Sequence, residues 1–177
     1  MSKVIVVLVG NIGSGKTTLT KVAVDMGWIA IARDGLRYAI GSGKYIFNPD
    51  YEPIIHEANV TFFRRFTDLG VNIVMDETNI TRGNRKAYIH HGHEQGYKVV
   101  AVEFHRWPKD VAIARRLSNN HGENDRAIWT MVWERNNQHY QAPTKEEGFD
   151  EVIQLKGDNS EAELTRLLQG LTNGSNA

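Results

Sequence analysis

Apolar runs of strand length alternate along the chain with longer stretches whose apolar residues recur at helical spacing. Val4 to Val9 is unbroken and consists only of β-branched residues and Leu, as in a strand buried on both faces. Shorter runs at Trp28–Ala32, Val71–Met75, Val99–Phe104 and Val152–Leu155 read as four more strands. Between them the spacing predicts helices over Lys16–Met26, Tyr51–Leu69 and Gly83–Gln95. Pro108 opens a further helix to about Leu117, because a missing N–H costs nothing in the first turn. Ser160 and Glu163 form a capping box for a last helix through Leu171. Strand and helix alternate with no hairpin signal, so the expected fold is α/β: three layers, with a five-stranded parallel sheet and helices on both faces. One domain is expected over residues 1–172, with residues 173–177 as a frayed tail. Residues 118–126 (SNNHGENDR) have no periodicity and many turn formers, and are expected to form a mobile lid.

Composition narrows the chemistry. The 177 residues carry 21 basic and 21 acidic side chains, a formal charge of +0. That balance excludes a protein that holds polyanions by bulk charge alone and leaves a local basic groove possible. With no Cys, a disulfide scaffold, a thiol nucleophile, an iron–sulfur cluster and Cys-ligated zinc are all excluded. Val4–Val9 is the longest apolar run, against roughly 20 residues needed to span a bilayer. A Gly-rich loop follows it where a secretory signal would carry its cleavage site. A cytoplasmic, globular protein with no membrane partner is therefore expected.

The loop after the first strand reads Gly10-Asn11-Ile12-Gly13-Ser14-Gly15-Lys16-Thr17, a full match to G-x-x-x-x-G-K-[ST]. A polyphosphate needs several backbone N–H groups pointing inward, and Gly lets the backbone curve and approach without a Cβ clash. The helix that follows adds its positive N-terminal end. Gly10, Gly13, Ser14, Gly15, Lys16, Thr17 and Thr18 are thus the expected ATP-binding residues. Lys16 would reach the β- and γ-phosphates and Thr17 would ligate Mg²⁺.

Two acidic sites follow later strands. Asp76-Glu77 ends the third strand and looks like the carboxylate pair of an ATPase. Asp34 lies just past the second strand, in Arg33-Asp34-Gly35-Leu36-Arg37. Residues past the strand ends of an open parallel sheet line the ligand crevice, so Asp34 is placed to accept the proton of an attacking hydroxyl. It also suits a helix N-cap, and the two roles are compatible. Arg37, three residues on, can reach the same face and hold an anionic group of the acceptor.

With these residues in view, the sequence resembles the kinase domain of 5′-hydroxyl polynucleotide kinases, phage and mammalian. The matching residues are Gly10–Thr17, Arg33-Asp34 with Arg37, Asp76-Glu77-Thr78-Asn79, and Tyr140-Gln-Ala-Pro143-Thr144-x-x-Glu147-Gly148-Phe149. The resemblance implies a P-loop kinase fold and ATP-dependent phosphorylation of a 5′-OH end of DNA or RNA. It implies Asp34 as general base, Arg37 as the clamp on the acceptor's adjacent phosphate, and Asp76 as the buried support of that arginine. Thr78 and Asn79 would line the same floor. Of the two lid arginines of the family, Arg116 fits the first; Asn120 or His121 falls at the second, which leaves Arg126 as the next cation. Gly35 stands where the phage pattern has a second acid, and no phosphatase motif is present.

Other clusters read as structural. His90, His91 and His93 with Glu94 fit a solvated helix face, and Trp129 with Trp133 a core-facing helical pair. Arg64, Arg65, Arg82, Arg85 and Lys86 could line an acceptor channel or simply face water. Two rivals stay open: a P-loop kinase of a small metabolite or nucleotide, and a nucleotide-binding ATPase module centred on Asp76-Glu77.

Overall fold

The computed structural model describes residues 3–118 and 125–173. Its five strands are β1 (Val4–Val9), β2 (Ile29–Ile31), β3 (Ile73–Met75), β4 (Lys98–Glu103) and β5 (Glu151–Gln154). All pair in parallel, in the order β2-β3-β1-β4-β5. The helices are α1 (Lys16–Asp25), α2 (Arg33–Ile40), α3 (Glu52–Asp68), α4 (Arg82–Glu94), α5 (Lys109–Ser118), α6 (Arg126–Gln138) and α7 (Glu161–Asn173), with a 3₁₀ turn at Lys145–Glu147. The expected α/β architecture is the one observed.

β1 is the centre of the molecule, and each of its six residues is fully buried. Its side chains alternate between two cores. Val4, Val6 and Leu8 pack with α1 and α7 through Leu19, Leu164 and Leu168. Ile5, Val7 and Val9 pack with α3 and α4 through Phe63 and Ile89. Helices on both faces explain why β1 has no polar alternation. Among the described residues no helix is long and apolar enough to cross a membrane.

The five strand segments fall within a residue or two of their sequence-based bounds. α5 starts at Lys109, with the Pro108 carbonyl accepting the Ala112 N–H at 3.0 Å, so Pro108 precedes the helix rather than opening it. The α7 capping box forms: Ser160 N–H donates to Glu163 Oε2 at 2.8 Å and Glu163 N–H to Ser160 Oγ at 3.3 Å. The expected lid, 118–126, lies mostly outside the described residues, as does all but Asn173 of the tail. Neither α2 nor α6 had sequence-based bounds, and α2 bears on the site. Its N-cap is Ala32 and Asp34 sits inside its first turn, which corrects the expectation of Asp34 as a cap.

Since β1 lies between β3 and β4, chain connections run to opposite sides of it. The crevice at the carboxyl end of β1 is therefore the place where such a sheet receives a ligand.

Candidate active site

The loop Gly10–Gly15 leaves β1 at this crevice. Gly13 has φ +66°, and a Cβ there would lie 2.2 Å from the Ala112 carbonyl oxygen, so glycine is what lets the loop pack against α5. Gly15 has φ +101° and is the N-cap of α1. In the first turn of α1 the Thr18 N–H donates to the Gly15 carbonyl at 3.1 Å, while the amides of Lys16 and Thr17 have no carbonyl of their own helix to bond and are offered to an anion. Lys16 folds over the loop, its Nζ donating to the carbonyls of Gly10 (2.9 Å) and Asn11 (2.8 Å) and to Ser14 Oγ (3.2 Å). Burial lowers its pKa to about 8 against the opposing pull of Asp76 and Asp34. The ammonium therefore sits where an incoming polyphosphate supplies the charge compensation that water cannot.

The segment after β3 is tied to this loop. Gly10 N–H donates to the Thr78 carbonyl at 3.0 Å, and Asp76 N–H to Ile31 at 2.9 Å. Burial pushes the Asp76 carboxyl up, while Lys16 and the Thr20 hydroxyl pull it down. Asn79 was expected on the acceptor surface, but it is only 2% exposed, at φ +43°. Its amide donates to the Leu8 carbonyl at 2.9 Å. It is a strut beneath the floor, spent on backbone that only a short polar side chain in the left-handed region could reach. Glu77 is also committed: it takes Arg33 bidentately at 2.9 and 2.8 Å, and Asn59 at 3.1 Å.

Arg37 is not held by Asp76, as the resemblance implied. Its Nε and Nη2 donate to the two oxygens of Glu52 (2.9 and 2.5 Å) and its Nη1 to Asp34 Oδ1 (2.5 Å). The reason is topological. α3 returns across the end of β2 and brings Glu52 to α2, whereas Asp76 turns toward Lys16. Asp34 keeps 56% of its side chain exposed. Burial pushes the Tyr45 hydroxyl up to about 12, so it stays protonated and donates to Asp34 at 3.1 Å. The carboxylates of Asp34 and Asp76 and the guanidinium of Arg116 all act on the Lys16 charge. Five sequence-predicted residues, Lys16, Asp34, Arg37, Asp76 and Arg116, thus share one electrostatic neighbourhood.

On the far side, Arg116 stacks over the Trp129 ring at 4.1 Å, and Arg126 bonds Asp110 at 3.2 Å while remaining exposed. Two contributors escaped the sequence reading. Arg115 donates from Nε to the Gly13 carbonyl (2.8 Å) and forks onto Asp158 (2.9 and 2.7 Å). Asn11 donates to the Trp133 carbonyl (3.1 Å) and accepts from Asn136 (3.0 Å), fastening α6 to the loop. Arg115 carried no sequence signal beyond its place beside Arg116, because its contact with Gly13 spans 102 positions. A cavity of about 310 Å³ opens between this loop, the turn before α5, and α6, lined among others by Trp107, Trp133 and Tyr140. The Trp129–Trp133 pair is accordingly split, one ring buried and the other facing the cavity.

Three of the remaining cationic and imidazole groups, Arg85, His91 and His93, are structural. Arg85 is wholly buried and so lines no channel. His91 bonds Thr67 Oγ1 at 2.9 Å between α4 and α3, and His93 meets Asp150 at 3.0 Å. Among the described residues no cluster of His, Asp and Glu could enclose a metal by itself. The hydroxyl of Thr17, exposed in the first turn of α1, and the carboxylate of Asp76 are hard oxygen donors. Such a sparse set suits Mg²⁺, which is commonly held by one or two protein oxygens together with substrate phosphates.

Comparison with known proteins bears on the family and the fold. A family model described as an AAA domain matches residues 5–143. A fungal RNA kinase is 18% identical, with 98% of this chain and 89% of that one covered at a TM-score of 0.64. A putative kinase from Chloroflexus aurantiacus J-10-fl is 12% identical, covering 97% and 99% at 0.68. A gluconokinase from Sinorhizobium meliloti 1021 is 16% identical, covering 97% and 92% at 0.55. At these identities the three structures speak for the fold alone. The family match spans most of the sequence and contains the entire phosphate-binding loop and both acidic segments, and the chain accordingly belongs to the AAA domain family, with a P-loop built for nucleotide binding.

Proposed function

We propose that this protein is a kinase that transfers the γ-phosphoryl group of ATP to the 5′-hydroxyl end of a nucleic-acid strand. The observation that carries the reading is Asp34: an exposed carboxylate past the end of β2, bonded to Arg37 and Tyr45, and near enough to act on Lys16. A hydrolase has no need of a second carboxylate site facing the cradle, and a kinase does. In the reaction the 5′-oxygen bonds to the γ-phosphorus as its proton passes to Asp34. The bond from that phosphorus to the β,γ-bridging oxygen breaks, and ADP leaves. Lys16 and the amides of α1 meet the charge that grows on the leaving group. Thr17 and Asp76 would hold Mg²⁺, which when bound would neutralise further phosphate charge. Arg37 takes the acceptor's next phosphate, Thr78 borders the same floor, and Arg116 with Arg126 supply cations from the lid side. The likeness to a fungal RNA kinase and the polynucleotide-kinase motifs support the acceptor class.

A second reading, a kinase of a small polyhydroxy metabolite, draws on the same pairing that surrounds Arg37. Two carboxylates already neutralise that cation, and a neutral acceptor would need no free one. Radiolabelled ATP offered with 5′-OH oligonucleotides, nucleosides and neutral sugars separates the readings. Label on the oligonucleotide is expected; label on a sugar or nucleoside alone supports the second reading, and free phosphate alone supports an ATPase.

A further inference from the structure

We infer that Glu52 is an exchangeable stand-in for the acceptor's phosphate, and that displacing it from Arg37 is what selects phosphate-bearing acceptors; the inference rests on the proposed kinase reading. Glu52 meets the Nε/Nη2 edge of Arg37 fork to fork, at 2.9 and 2.5 Å. A phosphate uses that same edge for bidentate binding. Asp34 takes a hydrogen of Nη1 as well, so the trio of Asp34, Arg37 and Glu52 carries one net negative charge. The Arg37 side chain is only 10% exposed, with the rings of Tyr45 and Phe47 centred 5.8 and 5.7 Å from its guanidinium carbon. An anionic acceptor therefore meets a shielded, negatively charged group until one carboxylate leaves. Asp34 must stay to accept the proton, which makes Glu52 the carboxylate that yields.

Its position makes the exchange cheap. Glu52 is the first residue of α3, followed by Pro53, and it is the acidic residue of that first turn. A carboxylate at a helix N-terminus is stabilised by the helix dipole whether or not it also holds an arginine. Released from Arg37, Glu52 keeps that partner and gains water, while a phosphate brings more charge to the guanidinium than the carboxylate it replaces. A neutral hydroxylic acceptor has nothing with which to displace Glu52.

Removing only the charge tests this. The probe is adenosine 3′-monophosphate, titrated into protein whose nucleotide site is saturated with ADP. E52Q is expected to bind it several-fold more tightly than wild type, and its KM for the same acceptor in the kinase assay should fall while the KM for ATP stays unchanged. In an R37A background the gain should vanish. If Glu52 merely props Arg37 in place, E52Q binds the probe more weakly; weaker or equal binding, or a gain that survives R37A, overturns the exchange. Should E52Q fail to fold, E52S removes the charge and leaves a small polar side chain in the first turn of α3, with the same gain expected. Transfer from ATP to an oligonucleotide by wild-type protein is scored separately, so a failure of the kinase reading is seen apart from a failure of the exchange.

Discussion

Arg85 of α4 and Glu147 of the 3₁₀ turn meet fork to fork at 2.8 and 2.6 Å, with the arginine side chain 0% exposed. Arg85 also donates from Nη1 to the carbonyls of Asn79 (2.8 Å) and Gln141 (2.9 Å). The pair therefore braces, from behind, the segment that carries Asp76 to the crevice. Deleting one partner strands a buried charge, which costs about 3–5 kcal/mol. Glu147→Gln should lose stability of that order in denaturant unfolding, and the double variant Arg85→Met/Glu147→Leu should regain only part of it, because the Asn79 and Gln141 carbonyls lose their donor. A single variant within about 1 kcal/mol of wild type would show that the pair is dispensable.

What could be read from the sequence was local. The cradle lies within eight consecutive residues, and β1 announces its two-sided burial by composition. The Thr144-x-x-Glu147 segment was visible as a motif, but its partner Arg85 lies 62 positions away and was read as a candidate channel lining. The same limit applies to Arg37. A sequence gives the sign of each charge, whereas the strand order and the return of α3 decide that Glu52, not Asp76, meets that guanidinium. α2 was missed because its eight residues (RDGLRYAI) include Gly35 and bury only one side chain, Arg37. At eight residues it is also shorter than the roughly 11- to 18-residue window over which a helical repeat declares itself.

Asp34 now admits a clean separation of roles. It is not the N-cap of α2, so Asp34→Asn, which preserves shape and hydrogen-bonding oxygen, should leave the melting temperature nearly unchanged. As general base it should contribute roughly 10²- to 10⁴-fold to the rate. Asp34→Asn and Asp34→Ala should therefore be equally inactive while still binding ATP. An Asn variant that keeps most of its turnover would leave positioning and phosphate electrostatics to carry the reaction.

Gly13→Ala tests the packing of the cradle. The added methyl would lie 2.2 Å from the Ala112 carbonyl oxygen, a backbone atom that cannot step aside without moving α5, and φ is +66°. The variant should fold less stably and bind ATP at least tenfold more weakly by equilibrium titration. Gly157→Ala, at φ +71° with open space around it, serves as the control for left-handed strain alone.

Acid should weaken the Arg37–Glu52 pair in a defined direction. The hydrogen bond from Arg37 holds the Glu52 carboxyl below its ordinary value of 4.5. A carboxylate with a depressed folded-state pKa contributes stability that is complete above its unfolded value and lost as pH falls through the folded one. The stability difference between wild type and E52Q should therefore be constant from pH 7 to about 5 and shrink progressively below 4.5. A difference that grows on acidification would contradict the pairing. Guanidinium chloride melts across that range read it directly.

The most direct measurement is transfer of ³²P from γ-labelled ATP to a 5′-OH oligonucleotide, run beside the same strand already carrying a 5′-phosphate. Label should appear on the first strand and not on the second. Lys16→Ala should slow the transfer several-hundred-fold, since such a contact with developing charge is worth roughly 3–4 kcal/mol. Label on neither strand with wild-type protein, or transfer that persists within about threefold in Lys16→Ala, would contradict the account.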